Sequence, residues 1–313
     1  MKNDDHTMPA CSVLTIFRLI ALLLCCWGSE ALQAAPKPPP KVTVRTHDAA
    51  NKEVDFSFRV PAGYDPEREE RYRVLVIFGG RNQGSAVNAT GRLGWGPWAD
   101  RLGIFIVSPG YRNGAYWNPA AWSGQALMNA LLAIRKQYRI CTDKLLFYGY
   151  SAGGQCSNLF AAWKPGKVRA WASHASGVFF PLPDPRVKLA PGLVTCGDAD
   201  RARYLLSRGF VQRCRAQGRR VLWKSFPNHG HDVPPRSMEL ARAFLEFYHE
   251  LFKQDLSPIP PRSEALPPAP FVGDDLEEVF YPAGSPKIAT IAPEDRVELP
   301  SRKVAEAWGK EGK

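Results

Sequence analysis

The sequence predicts an α/β domain built on a mostly parallel central sheet with helices on both faces. Three observations carry that prediction. Continuous apolar runs of strand length recur along the chain, helical periodicity separates them, and glycine or proline closes most of the runs.

Taken in order, "KVTVRT" (41–46) and "EVDFSFRV" (53–60) alternate in the manner of half-buried antiparallel strands. "RVLVIFGG" (73–80) and "GIFIVSPG" (103–110) carry continuous apolar runs that end at turn residues, as strands covered on both faces should. From Trp122 to Tyr138 the period becomes helical, with Leu127, Leu131 and Ile134 on one face. The strand "KLLFYGY" (144–150), a helix of small residues from Ala152 and the strand "VRAWASH" (168–174) follow. Next come "GLVTCG" (192–197), a helix through Tyr204, Leu205 and Phe210, and the strand "RRVLWKSF" (219–226). "MELARAFLEFYHELF" (238–252) closes the domain as an amphipathic helix with Leu240, Phe244, Phe247 and Leu251 in step.

The boundaries follow from composition. Residues 1–34 read as a signal peptide: Arg18, a short apolar run Leu19–Trp27, then small residues with cleavage after Ala31 or Ala34. The run falls short of the roughly 20 apolar residues of a spanning helix, so no stable membrane span is expected after cleavage. Leu24 before Cys25 argues against a lipoprotein. Residues 35–53 read as a proline-rich linker and first edge strand, and 54–254 as the main α/β domain. Residues 255–313 form a proline-rich tail whose "EEVFY" and "RKVAEAW" are apolar enough to pack, either as a strap on the domain or over its cleft. The expected location is periplasmic or secreted.

The net charge is +11, and +12 once residues 1–34 are removed. Arg213, Arg215, Arg219, Arg220 and Lys224 make the densest basic cluster, read as a solvated face rather than a nucleic-acid surface. The cysteines beyond the leader, Cys141, Cys156, Cys196 and Cys214, would allow two disulfides or four buried thiols. No spacing among them fits a metal signature. Oligomeric state is not legible.

The chemistry concentrates at "YGYSAGG". Ser151 stands between an apolar strand and the small residues Ala152, Gly153 and Gly154, in a chain that must turn sharply. A serine hydroxyl needs a base and a third group to orient that base. Asp198 and Asp200 follow one later strand, and His229 and His231 follow the next. Catalytic groups of parallel sheets gather at such strand ends.

Gly149-Tyr150-Ser151-Ala152-Gly153 matches the G-x-S-x-G elbow, and the order Ser, Asp, His resembles the α/β-hydrolases. In particular, residues 54–252 resemble the exported esterases grouped with polyhydroxybutyrate depolymerases and feruloyl esterases. The resemblance implies an α/β-hydrolase fold, with Asp200 as the acid of a G-x-x-D turn and Asp198 left to cap the next helix. It implies His231, in "PNHGHDVP", as base, and His229 as a rim residue. A metal held by His229, His231 and Asp232 has no matching second cluster, so neither metal nor cofactor is expected. The oxyanion donors implied are the N–H of Ala152 and one from Phe78-Gly79-Gly80-Arg81, Gly80 before Arg81. Relatives often carry His-Gly at that loop, and this chain does not.

No lid insertion is visible between Gly177 and Gly192. "GWGPW" and "YWNPAAW" read as loops near the cleft rim. Trp95, Trp98, Tyr116, Trp117 and Trp122, with Tyr150, are therefore candidates for contact with a substrate ring, although packing inside long loops is the competing role. His174 reads as structural. The expected activity is exported serine-esterase hydrolysis through an acyl-enzyme, rising as His231 loses its proton. The expected partner is an ester substrate, such as one from plant or microbial polymers. A serine peptidase on the same fold, or a non-catalytic binding module, is the alternative.

Overall fold

The computed structural model describes residues 38–49, 51–81, 83–112, 114–258 and 265–313. The leader expected over 1–34 lies outside them. The elements run β1 (Lys41–Arg45), β2 (Glu53–Arg59), β3 (Val74–Phe78), α1 (Ser85–Ala89), α2 (Trp95–Leu102) and β4 (Phe105–Pro109). They continue with α3 (Gly124–Arg135), β5 (Leu145–Tyr150), α4 (Ala152–Trp163), β6 (Val168–His174) and β7 (Gly192–Gly197). Then come α5 (Arg201–Ala216), β8 (Val221–Phe226) and α6 (Pro235–Leu251).

β1 to β8 form one sheet in the order β1-β2-β4-β3-β5-β6-β7-β8. β1, β2 and β4 pair antiparallel, and every later pairing is parallel. All five residues of β3 and of β4 are buried, which requires cover on both faces. In β3, Val74, Val76 and Phe78 enter a core with Leu127, Phe160 and Phe210 from α3, α4 and α5. Leu75 and Ile77 point the other way, among Trp95, Trp98 and Ala99 of α2 and Leu240 and Phe244 of α6. Successive side chains of a strand alternate faces, so a continuous apolar run is the cost of a three-layer arrangement.

"GWGPW" is not a loop. Gly94 adopts φ +79°, and the chain then enters α2, with Trp95, Trp98, Ala99 and Leu102 on one face. Pro97 falls in the first turn, where a missing N–H is harmless. "YWNPAAW" passes into a single π-helical turn, Pro119–Ser123, ahead of α3. Residues 178–191 contain no helix, so nothing lid-like stands between β6 and β7.

The tail makes a second sheet: β9 (Phe271–Asp274), β10 (Val279–Pro282), β11 (Arg296–Leu299), α7 (Arg302–Trp308) and β12 (Lys310–Glu311), with strand order β11-β9-β10-β12. Phe280, Val297, Leu299, Val304 and Trp308 join the core on the α6 face. Trp308 is fully buried, and its indole N–H donates to the Trp223 carbonyl at 2.7 Å. Lys224 lies over the Trp308 ring and pairs with Glu278 at 2.7 Å. Cys141, Cys156, Cys196 and Cys214 are buried free thiols, and burial pushes each of their pKa values up. No described helix is long and apolar enough to cross a membrane.

Candidate active site

Ser151 sits between β5 and α4 with φ 57° and ψ −121°, a conformation that side-chain-bearing residues avoid. The surroundings enforce it. Its N–H donates to the His174 carbonyl on β6 at 2.9 Å. A Cβ at Gly149 would lie 1.9 Å from the Gly153 carbonyl oxygen, and one at Gly153 would lie 2.0 Å from that of Phe78. Those two glycines let strand, turn and helix close upon one another, which is why small residues flank the serine.

Asp200 follows β7 at the N-cap position of α5, without a side-chain capping bond. Its carboxylate is only 8% exposed; Oδ2 lies 2.7 Å from His231 Nδ1, and Oδ1 accepts from Arg203 at 3.1 Å. Asp198 serves another purpose: Oδ1 accepts the Asn228 N–H at 2.8 Å and pins the loop after β8. The structure therefore brings Asp200, and not Asp198, to the imidazole.

His231 arrives on that same loop, with Nε2 2.9 Å from Ser151 Oγ. An ionised carboxylate only accepts, so the ring hydrogen belongs on Nδ1 and Nε2 faces the hydroxyl with its lone pair. Two contacts hold the loop. Tyr150 donates its hydroxyl to the His231 carbonyl at 2.6 Å, and its ring centroid lies 5.1 Å from the imidazole. His174, buried at the end of β6, contacts the Asp232 carbonyl at 2.8 Å through Nε2 and Thr195 Oγ1 at 2.7 Å through Nδ1. Since a carbonyl cannot donate, Nε2 carries the hydrogen. Burial lowers the His174 pKa to about 4, against the opposing pull of Asp232, and keeps the ring neutral. His229 lies at the rim, bonded to Asp232 Oδ2 at 2.9 Å.

The positioning parts of Tyr150 and His174 were missed from sequence. The available signal was a hydroxyl-bearing ring directly before the serine, and a polar residue closing a strand whose every residue is buried.

Of the positions expected to stabilise an oxyanion, Ala152 is the first residue of α4, where an N–H has no acceptor within the helix. The Gly80 N–H, expected to be the other donor, instead donates to Gln83 Oε1 at 3.2 Å. The tight turn that brings Gln83 N–H to the Gly80 carbonyl folds the amide back over it.

A cavity of about 480 Å³ opens beside Ser151, lined among others by Gly80, Arg81, Arg92, Trp95 and Tyr150. Trp98, Tyr116, Trp117 and Trp122 do not line it, which corrects the expectation of a ring platform. Trp98 is buried against α6 and donates to Glu246. Tyr116 and Trp122 are buried around Tyr111, and Trp117 packs edge-on to Tyr116. Trp95 reaches the cavity but is only 1% exposed, so its ring forms wall rather than platform. Aromatic bulk in these segments went to the core because α2 and the π-turn bury it.

The charge lining the cavity is lopsided. Arg81 and Arg92 are exposed, and neither has a carboxylate partner among the described residues. Asp232 is the carboxylate in the lining, and its Oδ2 is bonded to His229.

No protein-family model matches the chain. Nor does any curated protein match it in sequence. Solved structures do match in fold. A thermostable esterase superposes with TM-score 0.51 at 18% identity, over 67% of this chain and 62% of its own. The chain thus spans less than two thirds of that esterase. An S-formylglutathione hydrolase from Agrobacterium tumefaciens gives 0.51 at 15% identity, over 67% and 94%. A ferulic acid esterase gives 0.50 at 18% identity, over 70% and 97%. Together with the sheet order and the Ser151 elbow, these likenesses identify the α/β-hydrolase fold. Identities this low speak to fold alone.

Proposed function

We propose that the protein is a serine hydrolase acting on carboxylic esters, exported by way of residues 1–34 and carrying its catalytic domain over 54–254. The observation that carries the reading is the unbroken line of hydrogen bonds from Ser151 Oγ to His231 to Asp200, at 2.9 Å and 2.7 Å. Matches in fold to proteins named as esterases support it.

The steps follow from the geometry. Ser151 Oγ forms a bond to the ester carbonyl carbon while His231 Nε2 takes its hydrogen. Asp200 keeps the imidazole in the right tautomer and stabilises the imidazolium. The oxyanion is met by the Ala152 N–H and, with Gly80 committed to Gln83, by the Arg81 N–H. His231 then returns the hydrogen to the departing alkoxide as the carbon–oxygen bond breaks, leaving an acyl-serine. Water, deprotonated by His231, attacks that carbonyl, and the Ser151 oxygen leaves with the hydrogen. Amide cleavage uses the same parts, so a peptidase is the second reading. The cavity beside Ser151, about 480 Å³ and open to solvent, has room for a small acyl or alcohol group, and the likeness in fold to proteins named as esterases favours the ester reading.

A fluorophosphonate probe tests the proposal. Labelling of wild type and none of Ser151→Ala is the expected result, together with turnover of short aryl esters. An unlabelled wild-type protein would mark a binding module, and turnover confined to peptide amides would mark a peptidase.

A further inference from the structure

Far from Ser151, at the starts of β7 and β8, a second cavity of about 420 Å³ lies between the α5–β8 turn and the tail. Four arginines line it: Arg215, Arg219 and Arg220 from the end of α5 and the turn, and Arg296 from β11. Each is held by neutral acceptors. Arg215 donates to the Glu294 carbonyl at 2.7 Å, Arg220 to that of Pro267 at 2.8 Å and Arg296 to that of Ile291 at 3.0 Å. Arg219 is bonded to Gln217 Oε1 and to the carbonyls of Val187, Pro183 and Asp184.

A carbonyl orients a guanidinium without cancelling its charge. None of the four makes a salt bridge among the described residues. Among the described residues Glu298 is the one carboxylate in the lining, and Asp275 and Asp295 partly offset the charge of Arg215. Like charges gathered around one space repel unless an anion shares it. Forks already fixed by their other bonds lose little entropy when they meet such an anion.

We propose that this cavity binds a phosphate group, free or as a small phosphomonoester, between the turn and the tail. Arg220 and Arg296 keep nitrogens outside their carbonyl bonds, while Arg219 is fully engaged and Arg215 Nη2 is buried. Two guanidinium forks suit a tetrahedral dianion better than a planar monoanion, since each can take a separate edge of oxygens. The volume exceeds what one phosphate needs and leaves room for a small esterified group. The site is separate from Ser151 and does not depend on the hydrolase reading.

Calorimetry on the full chain tests this, with inorganic phosphate and glycerol 3-phosphate titrated at constant ionic strength in chloride and citrate as the carboxylate control. Saturable binding of one or both is expected, weakened at least about tenfold in Arg220→Gln and Arg296→Gln by loss of charge-assisted bonds. Glu298→Gln should tighten it, a gain that misfolding cannot imitate, and thermal unfolding in chloride confirms that each variant folds. Tighter binding of glycerol 3-phosphate than of phosphate marks a monoester ligand, and the reverse marks the free ion. The idea fails if neither ligand binds, if citrate binds as well as phosphate, or if Arg296→Gln and Glu298→Gln leave binding unchanged.

Discussion

Tyr150 holds His231 by the backbone, donating its hydroxyl to the His231 carbonyl at 2.6 Å while the two rings lie 5.1 Å apart. The residue before Ser151 thus fixes the loop that carries His231, the base of the proposed reaction. Tyr150→Phe should keep the ring contact and lose the anchor. We expect kcat on a short aryl ester to fall about tenfold with KM little changed, since positioning acts on the chemical step. A raised KM at constant kcat would mean instead that the hydroxyl touches substrate.

The two carboxylates after β7 should separate cleanly. Asp200→Asn offers His231 an amide in place of an acceptor-only carboxylate, and kcat should drop by about 10³ to 10⁴. Asp198→Asn keeps an acceptor for the Asn228 N–H and should leave kcat within about threefold of wild type. Steady-state rates of both variants, measured beside their unfolding curves, decide the matter. Equal losses would assign Asp198 a part in the chemistry.

Much of this was legible in the residues, for particular reasons. β3, β4, β5 and β7 are buried on both faces, so their apolar runs could hardly be other than central strands. Ser151 and Asp200 follow two of these strands, β5 and β7, and His231 follows the edge strand β8, so that chain order suggests that they meet. α2 was hidden because Gly94 and Pro97 punctuate its start like a loop, although Trp95, Trp98, Ala99 and Leu102 hold helical spacing. The Gln83 contact that occupies the Gly80 N–H depends on one side chain folding back over a turn, and no periodicity reports that. The strands β9 to β12 hold two to four residues each, too few for alternation to stand out.

Neutral His174 ties stability to pH. Its folded pKa, about 4, lies below the ordinary 6.5, so between those values the unfolded chain binds a proton that the folded chain refuses. Stability must then rise with pH through that window and be lost as pH falls, by up to about 3 kcal/mol from this residue. His249, lowered to about 3 by burial and by Arg73, acts in the same direction. Asp275, raised to about 6 by burial, acts in the opposite one. Urea unfolding at pH 7.5 and pH 5 therefore has to compare wild type with His174→Gln. The variant should lose less stability on acidification, and an equal loss would show that His174 is not held neutral.

The charge beside Ser151 should select substrates. Arg81 and Arg92 line the cavity without carboxylate partners among the described residues, so an ester bearing a carboxylate should be favoured over its neutral analogue at low salt. Arg92→Gln should reduce kcat/KM for the charged ester about three- to tenfold and leave the neutral one unchanged. The preference should fade as salt is raised from 20 to roughly 500 mM, because exposed charges are screened. A preference independent of salt, or untouched in the variant, would place the discrimination elsewhere.

Trp308 tests how far the tail contributes to the stability of the whole. It is fully buried, donates to the Trp223 carbonyl on β8 and lies beneath the Lys224 ammonium, itself 2% exposed and paired with Glu278. Trp308→Ala removes a large buried side chain, opens a void and leaves the Trp223 carbonyl without this donor. The sum should be about 3–5 kcal/mol of destabilisation. Trp308→Phe keeps most of the volume and loses the N–H, so it should cost about 1–3 kcal/mol, chiefly for the orphaned acceptor. Because β8 leads directly into the loop carrying His231, a tail that matters only locally would leave ester turnover intact in Trp308→Ala below its unfolding temperature. A tail that braces β8 would lower kcat there as well. The bond from the buried Trp308 indole to the β8 backbone favours the second outcome, and measuring kcat alongside the urea midpoint for both variants distinguishes them.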